Sequence, residues 1–168
     1  MAPPEGCGRS DPAAGEGSVA EPSLGWLGEA GGGLRPLARI WATVELERAL
    51  AGLGLDASRA AAALDDPLLG ARVVVIPADG DGPGVALAEP STEGRLAGRL
   101  ARHDEGPAGS YLAAPVGLDA VRALAAAAQV PLSAPARGPF GWSILVLAGP
   151  IAGPSIILVE PAAVPSRP

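Results

Sequence analysis

Lysine is absent from this 168-residue chain: all twelve basic residues are arginine, set against eighteen acidic ones, for a net charge of −6. Binding along a nucleic-acid backbone needs a basic footprint, so no nucleic-acid partner is expected. The stripe Arg95/Arg99/Arg102 is the one local exception, and it reads as a solvated helix face. Cys7 is the single cysteine, which excludes an intrachain disulfide. His103 is the single histidine, which excludes an ordinary Cys/His zinc site. Aromatics are scarce, with three tryptophans, one tyrosine and one phenylalanine. Any core is therefore built from Ala, Leu and Val. The bias to Ala, Gly, Pro and Arg fits a GC-rich bacterial genome. The first residues lack the basic-then-apolar order of an export signal, so a cytoplasmic location is expected. Trp142–Val159 carries no charge and nearly reaches spanning length. Gly149-Pro150 and Gly153-Pro154 break it, and β-branched residues dominate its flanks. It reads as two strands and a turn, and no membrane is expected.

The chain length suits one domain with a real core. Residues 1–36 are rich in Gly, Pro, Ala, Glu and Ser and lack periodicity, which predicts a disordered tail in which Trp26 and Leu27 are the candidates for docking. Leu37–Val44 predicts a strand and Glu45–Leu53 an amphipathic helix with Leu46, Ala49, Leu50 and Leu53 inward. Ser58–Leu64 is ambiguous. Arg72–Ile76 is a β-branched strand, and ADGDGPG turns it back into Val85–Ala88. Glu89-Pro90 stops that strand, Ser91-Thr92-Glu93 offers a hydroxyl cap, and a helix over 92–103 follows, with Leu96 and Leu100 on one face. Then the order repeats. Ser110–Ala114 is a strand, and Leu118–Ala128 a helix with Leu118, Val121, Leu124 and Ala128 inward. Val130–Ser133 is a short strand and 137–141 a loop. Trp142–Leu147 and Ser155–Glu160 form a closing hairpin, and residues 162–168 are frayed. Each half reads strand, helix, then two or three strands, as an internal repeat does.

Two such units in about 125 residues resemble the vicinal oxygen chelate superfamily, which includes glyoxalase I, methylmalonyl-CoA epimerase, extradiol dioxygenases and bleomycin-resistance proteins. WATVELERAL is similar to that family's first strand and helix start. GARVVVIPADGDGPGVALAEPSTEGRLAGRLARHDEGPAG is similar to its passage from a strand ending "L-E-P" into the second module. ILVLAGPIAGPSIILVEP is similar to its closing hairpin. The resemblance covers Leu37 to Pro161. It implies an α+β fold, two βαβββ modules (about 37–90 and 109–161) paired into a curved-sheet cup.

In the family's enzymes the cup holds a divalent metal on His, Gln or Glu side chains from four strands. The resemblance places those positions at Ala38, Ala86, Gly109 and Ile157, none of which can ligate a metal. A register slip of one residue does no better. The family's metal chemistry is therefore not expected, nor is any other cofactor. What the resemblance then implies is its bleomycin-resistance branch: a homodimer that sequesters a small hydrophobic or aromatic molecule. The alternative is a metal-independent isomerase, lyase or cyclase with Tyr111 as acid or base, and a third reading is a structural partner whose cup is filled by its own side chains.

Tyr111 shares strand parity with Gly109 and should face the cup; the competing reading is a core tyrosine bonded to backbone. Ser155 shares parity with Ile157, or else caps its turn. Phe140 and Trp142 flank Gly141 at the hairpin mouth, where they stack on a flat ligand or pack on the other module. Arg137 in the same loop meets an anionic group or solvent. His103-Asp104-Glu105 resembles an acid–base cluster but sits at the joint between modules. Ser91, Ser110 and Ser143 have no neighbouring His-Asp pair. ADGDGPG lacks the Gly-Lys-Ser/Thr of a phosphate loop.

Overall fold

The structure is a computed structural model that describes residues 24–114, 116–148 and 153–160. Its first strand, β1 (Arg35–Ala42), alternates from Ala38 onward between buried and exposed side chains, as a half-covered strand must. The helix α1 (Leu46–Gly52) follows. Two carboxylates from other elements hold its start. Glu89 Oε2 accepts from Leu46 N at 2.8 Å, and Glu105 Oε1 accepts from Val44 N and from Thr43 Oγ1. They satisfy N–H groups that the helix itself leaves free. A 3-10 turn over Ala57–Ala62 leads to β2 (Leu64–Asp66), and β-branched Val73, Val74 and Val75 build β3 (Ala71–Ile76). β4 (Gly84–Pro90) returns antiparallel with Ile76 opposite Val85.

The second half copies this plan. β5 (Gly106–Ala113) leads to α3 (Leu118–Ala127), then β6 (Ala136–Gly138), β7 (Gly141–Val146) and β8 (Ser155–Val159). Between the halves lies α2 (Arg95–His103). One eight-stranded sheet results, in the order β2-β3-β4-β1-β5-β8-β7-β6. β1 lies parallel to β4 as β5 lies parallel to β8, and the halves meet through antiparallel β1 and β5. The repeat read in the sequence is thus a repeat in pairing. The sheet curls until its two edges, β2 and β6, come into contact.

Alternation then sorts the core. On the convex face Leu46 and Leu50 of α1 cover Val74 and Leu87, while Leu118 and Val121 of α3 cover Ile144, Val146, Ile156 and Leu158. On the concave face Ala38, Ile40, Ala86, Ala88, Tyr111, Leu145, Ile157 and Val159 form one cluster, with Leu96 of α2 packed into it. The chain thus has the expected α+β fold with its curved-sheet cup.

The structure corrects several local expectations. Order begins earlier than residue 37: Gly25–Gly33 forms 3-10 turns broken at Gly28, and Leu27 is buried against α3 and β8. Leu27, with Leu24 and Trp26 packed beside it in the same cluster, outweighs the glycine-rich composition around it. The rest of the expected tail, residues 1–23, and the expected frayed end, 162–168, lie outside the described residues. Ser91 and Thr92 do not cap α2. Their amides donate to Gly70 O, and the cap position falls on Gly94. Val130–Ser133 supplies only a single bridge, Leu132 to Val146, while Arg137 and Gly138 of the expected loop join Ala136 in the edge strand. Leu53 and Ala128 lie at helix C-caps and are exposed, because each helix stops one residue short of them.

Leu27→Ala removes a side chain that is 2% exposed. It is expected to lower the unfolding free energy by about 2–4 kcal/mol. Urea denaturation showing no loss would mean that the turn is not docked.

Candidate functional site

The cup interior is apolar except at one point. Across the sheet, Ala38, Tyr111, Ile157 and Leu145 lie opposite one another on successive strands β1, β5, β8 and β7. Tyr111 is fully buried, and its hydroxyl donates to Asp66 Oδ2 at 2.5 Å. Asp66 closes the short strand β2 and is itself 1% exposed. Pro67 turns the chain there, so Asp66 Oδ1 can accept from Leu68 N at 2.8 Å and Leu69 N at 3.3 Å. Three donors thus converge on one buried carboxylate. Phe140 packs against Tyr111, with ring centroids 4.9 Å apart at 53°. Removing either polar partner would leave the other unsatisfied in an apolar setting, a cost of about 1–3 kcal/mol or more.

The Tyr111 phenol is held well above its ordinary pKa, first by burial, then by the charge of Asp66 and the hydrogen bond to it. It stays protonated at neutral pH and serves as a hydrogen-bond donor rather than a base. The sign for stability follows: the folded protein keeps a proton that the unfolded chain gives up above about pH 10, so stability falls as pH rises past that point.

The sequence candidates separate. Tyr111, Phe140 and Ser155 are turned inward; Ser155 is nearly buried and lies opposite Gly109. Arg137 and Trp142 face each other across β6 and β7 and are exposed. Trp142 shares parity with Ile144 and Val146, whose side chains pack under α3, so alternation carries it to the convex face. His103 and Asp104 are exposed at the end of α2, and Glu105 is committed to Thr43, Val44 and Arg48. That commitment, a charge-assisted set with the Thr43 and Val44 bonds foremost, lowers the Glu105 pKa.

Sequence reasoning missed Asp66. The available signal was Asp66-Pro67, a turn start in which an aspartate bonds the amides just ahead of it. Nothing local announces that its second oxygen reaches Tyr111, 45 residues away.

The four positions that the resemblance assigned to metal ligands lie in the cup. Ala38, Ala86 and Ile157 are fully buried among apolar neighbours. Gly109 has φ +146°, and a Cβ built on it would sit 1.9 Å from Ser155 O. No ligating side chain fits there without moving β8. Among the described residues no three His, Cys, Asp or Glu side chains are placed to hold a metal. A groove of about 240 Å³ opens elsewhere, at the β2–β3 edge, lined by Arg59, Ala62, Leu64 and Val73, Val74 and Val75.

No family model and no curated protein matches the chain. Solved structures do. A Streptomyces coelicolor methylmalonyl-CoA epimerase variant in complex with 2-nitronate-propionyl-CoA is 21% identical with a TM-score of 0.57, over 77% of this chain and 98% of that one. The Mycobacterium tuberculosis methylmalonyl-CoA epimerase is 19% identical with a TM-score of 0.60, over 76% and 87%. A hypothetical protein from Bacillus halodurans C-125 is 14% identical with a TM-score of 0.57, over 77% and 96%. This chain has the vicinal oxygen chelate fold. Among the described residues no helix is long and apolar enough to cross a membrane.

Tyr111 is the only tyrosine, so tyrosinate absorbance reports on it alone. On alkaline titration the band should stay absent through about pH 10 and emerge only as the protein unfolds. Reversible tyrosinate in the folded protein below that pH would refute the buried hydrogen bond.

Proposed function

We propose that this vicinal oxygen chelate protein binds a small hydrophobic or aromatic molecule in its cup and does so without a metal. The observation that supports this is the set of side chains at the fold's metal positions: Ala38, Ala86, Gly109 and Ile157. They offer an apolar surface where an enzyme of this fold would present ligands. Tyr111 and Phe140 supply ring faces, Asp66 and Tyr111 a polar anchor, and Ser155 a hydroxyl near the base. Arg137 and Trp142, on the convex face, leave the proposed ligand set. The interior is filled by the chain's own side chains, so a ligand must part β2 from β6. Each is three residues long and has a single paired neighbour, which makes them the cheapest strands to displace.

The alternative is a metal-independent isomerase, lyase or cyclase using Tyr111. It draws less support, because a phenol locked to a carboxylate exchanges its proton poorly. Epimerase structures similar to this chain include complexes with 2-nitronate-propionyl-CoA and with methylmalonyl-CoA, so a CoA ester belongs among the ligands tested.

A second copy of the chain is the proposed protein partner. Between α1 and α3 the convex face leaves Arg39, Trp41 and Val85 uncovered, with Trp41 45% exposed. Light scattering should give twice the chain mass; a monomer at all concentrations would remove the dimer.

A thermal-shift screen tests the function. Mn²⁺, Co²⁺, Ni²⁺, Zn²⁺ and EDTA should leave Tm unchanged, and an aromatic compound should raise it. A ligand at about 100 times its Kd stabilises by about 2.7 kcal/mol. A rise with one divalent metal, sharpened by a CoA ester, would overturn the proposal in favour of a metalloenzyme.

A further inference from the structure

β2 stops short of its neighbour. It pairs Leu64, Asp65 and Asp66 with Val73, Arg72 and Ala71, while β3 runs on to Ile76. Before Leu64 the chain leaves the sheet as the 3-10 turn over Ala57–Ala62. The neighbouring strands show which backbone groups this bares. Ala88 O accepts from Thr43 N at 2.9 Å, so Ala88 turns its backbone to the β1 side. Its partner across β3 and β4 is Val73, which therefore turns its own backbone to β2, where it meets Leu64. Ile76 O lies against β4, 2.6 Å from where a Cβ on Gly84 would stand. Val75 lies between these two, and alternation points its N–H and C=O away from β4, just past the end of β2. Among the described residues no backbone bond takes them up on that side. Pro77 follows without an N–H, so Val75 is the last donor on this edge.

We infer that this edge captures the C-terminus of an extended, apolar peptide, which pairs with Val75 as an added strand and sets its carboxylate against Arg59. The groove of about 240 Å³ lies at the same place. It touches Val73, Val74 and Val75 in a row, and successive side chains of a strand point to opposite faces. A groove that meets three in a row runs along the backbone edge, not over one face. Its other wall is Leu64, Ala62 and Arg59. Leu64 is 52% exposed and offers apolar surface to an incoming side chain. Among the described residues Arg59 is the one charge in the lining, and it makes no ion pair. Asp56, whose carboxylate feels that charge, accepts from Ser58 N at 2.9 Å. The groove thus calls for a backbone donor and acceptor, an apolar side chain and a negative charge. A peptide C-terminus carries all four, and strand addition to a sheet edge is a recurring way to bind one. A small carboxylic acid lacks the amide. A second copy set edge to edge would bring two Arg59 side chains to one seam. The volume is below the roughly 300–1,000 Å³ of sites for drug-sized ligands, which fits the last two residues of a chain. The site lies at the sheet edge and does not rest on the cup reading above.

The test follows the backbone amides of the isotope-labelled full chain by NMR. Without ligand, the Val75 amide should exchange with deuterated water faster than those of Val74 and Ile76. Acetyl-Val-Val should then shift the Val75 amide and the Arg59 side chain. At low salt it should bind about threefold tighter than acetyl-Val-Val-amide, the advantage one exposed ion pair supplies. N-methylation of both valines removes the donors to Val75 O and should weaken binding about fivefold. Arg59→Gln should fold as the parent does and bind acid and amide alike. Ala62→Glu, at an exposed position, should also fold, and should weaken the acid because its carboxylate competes for Arg59. A Val75 amide as protected as its neighbours, no shift at millimolar peptide, or shifts that avoid Val75 would overturn the site. So would an N-methylated peptide that binds as well, an acid preference that survives Arg59→Gln, or unchanged binding in Ala62→Glu. Valerate giving the same shifts would assign the groove to small acids, and a Val75 shift with protein concentration alone would assign it to a second copy; either result overturns the peptide. None of these outcomes touches the cup reading, which the thermal-shift screen decides.

Discussion

One hydrogen bond, from the Tyr111 hydroxyl to Asp66, connects the middle of the sheet to its edge. β5 lies at the centre of the strand order and β2 at one end. A bond between them exists only if the sheet curls through most of a turn. Sheet twist supplies the sense of that curl, and small residues supply the room: Ala38, Ala42, Ala86, Ala88 and Ala108 line the concave face. Larger side chains there would hold the sheet open. The single large polar side chain of the interior then spans what remains, and Asp66 receives it with Leu68 and Leu69 amides already in place. The fold, the filled cup and the isolated carboxylate are one solution to the same packing problem.

Period-2 and period-3.6 patterns made most of the architecture legible in the sequence. Arg72–Ile76 and its glycine-rich return could hardly be anything but a hairpin, and the repeated order of elements gave the paired modules. Parity along β5 and β8 turned Tyr111 and Ser155 inward correctly. The same rule was available for Trp142. Ile144 and Val146 belong to the face beneath α3, and counting back from them sends Trp142 outward, although it sits beside Gly141 at the hairpin mouth. Periodicity is blind to contacts made across long separations. Glu89 and Glu105 cap α1 from 43 and 61 residues away, and each reads locally as an ordinary surface carboxylate. Composition misled at the other extreme, because Leu24, Trp26 and Leu27 dock a stretch whose glycines read as disorder.

Charge is arranged sparingly. Arg72 pairs with Glu89 across adjacent strands, and Arg48 with Glu105 at the start of α1. These exposed or half-exposed pairs each contribute little. They register the helix on the sheet rather than hold the domain together. The apolar clusters on the two faces do that, and between them they leave Arg39, Trp41 and Val85 of β1 and β4 exposed on the convex face.

Gly109 has a bearing on design. Its backbone and that of Ser155 lie so close that the space for a side chain has been spent on strand contact. Histidines and carboxylates introduced at positions 38, 86 and 157 would have to displace the core side chains around them, and one at 109 would have to push β8 away from β5 first. An engineer wishing to rebuild a four-ligand metal centre in this scaffold therefore faces a backbone problem before a ligand problem, and three of the four substitutions would give no early gain.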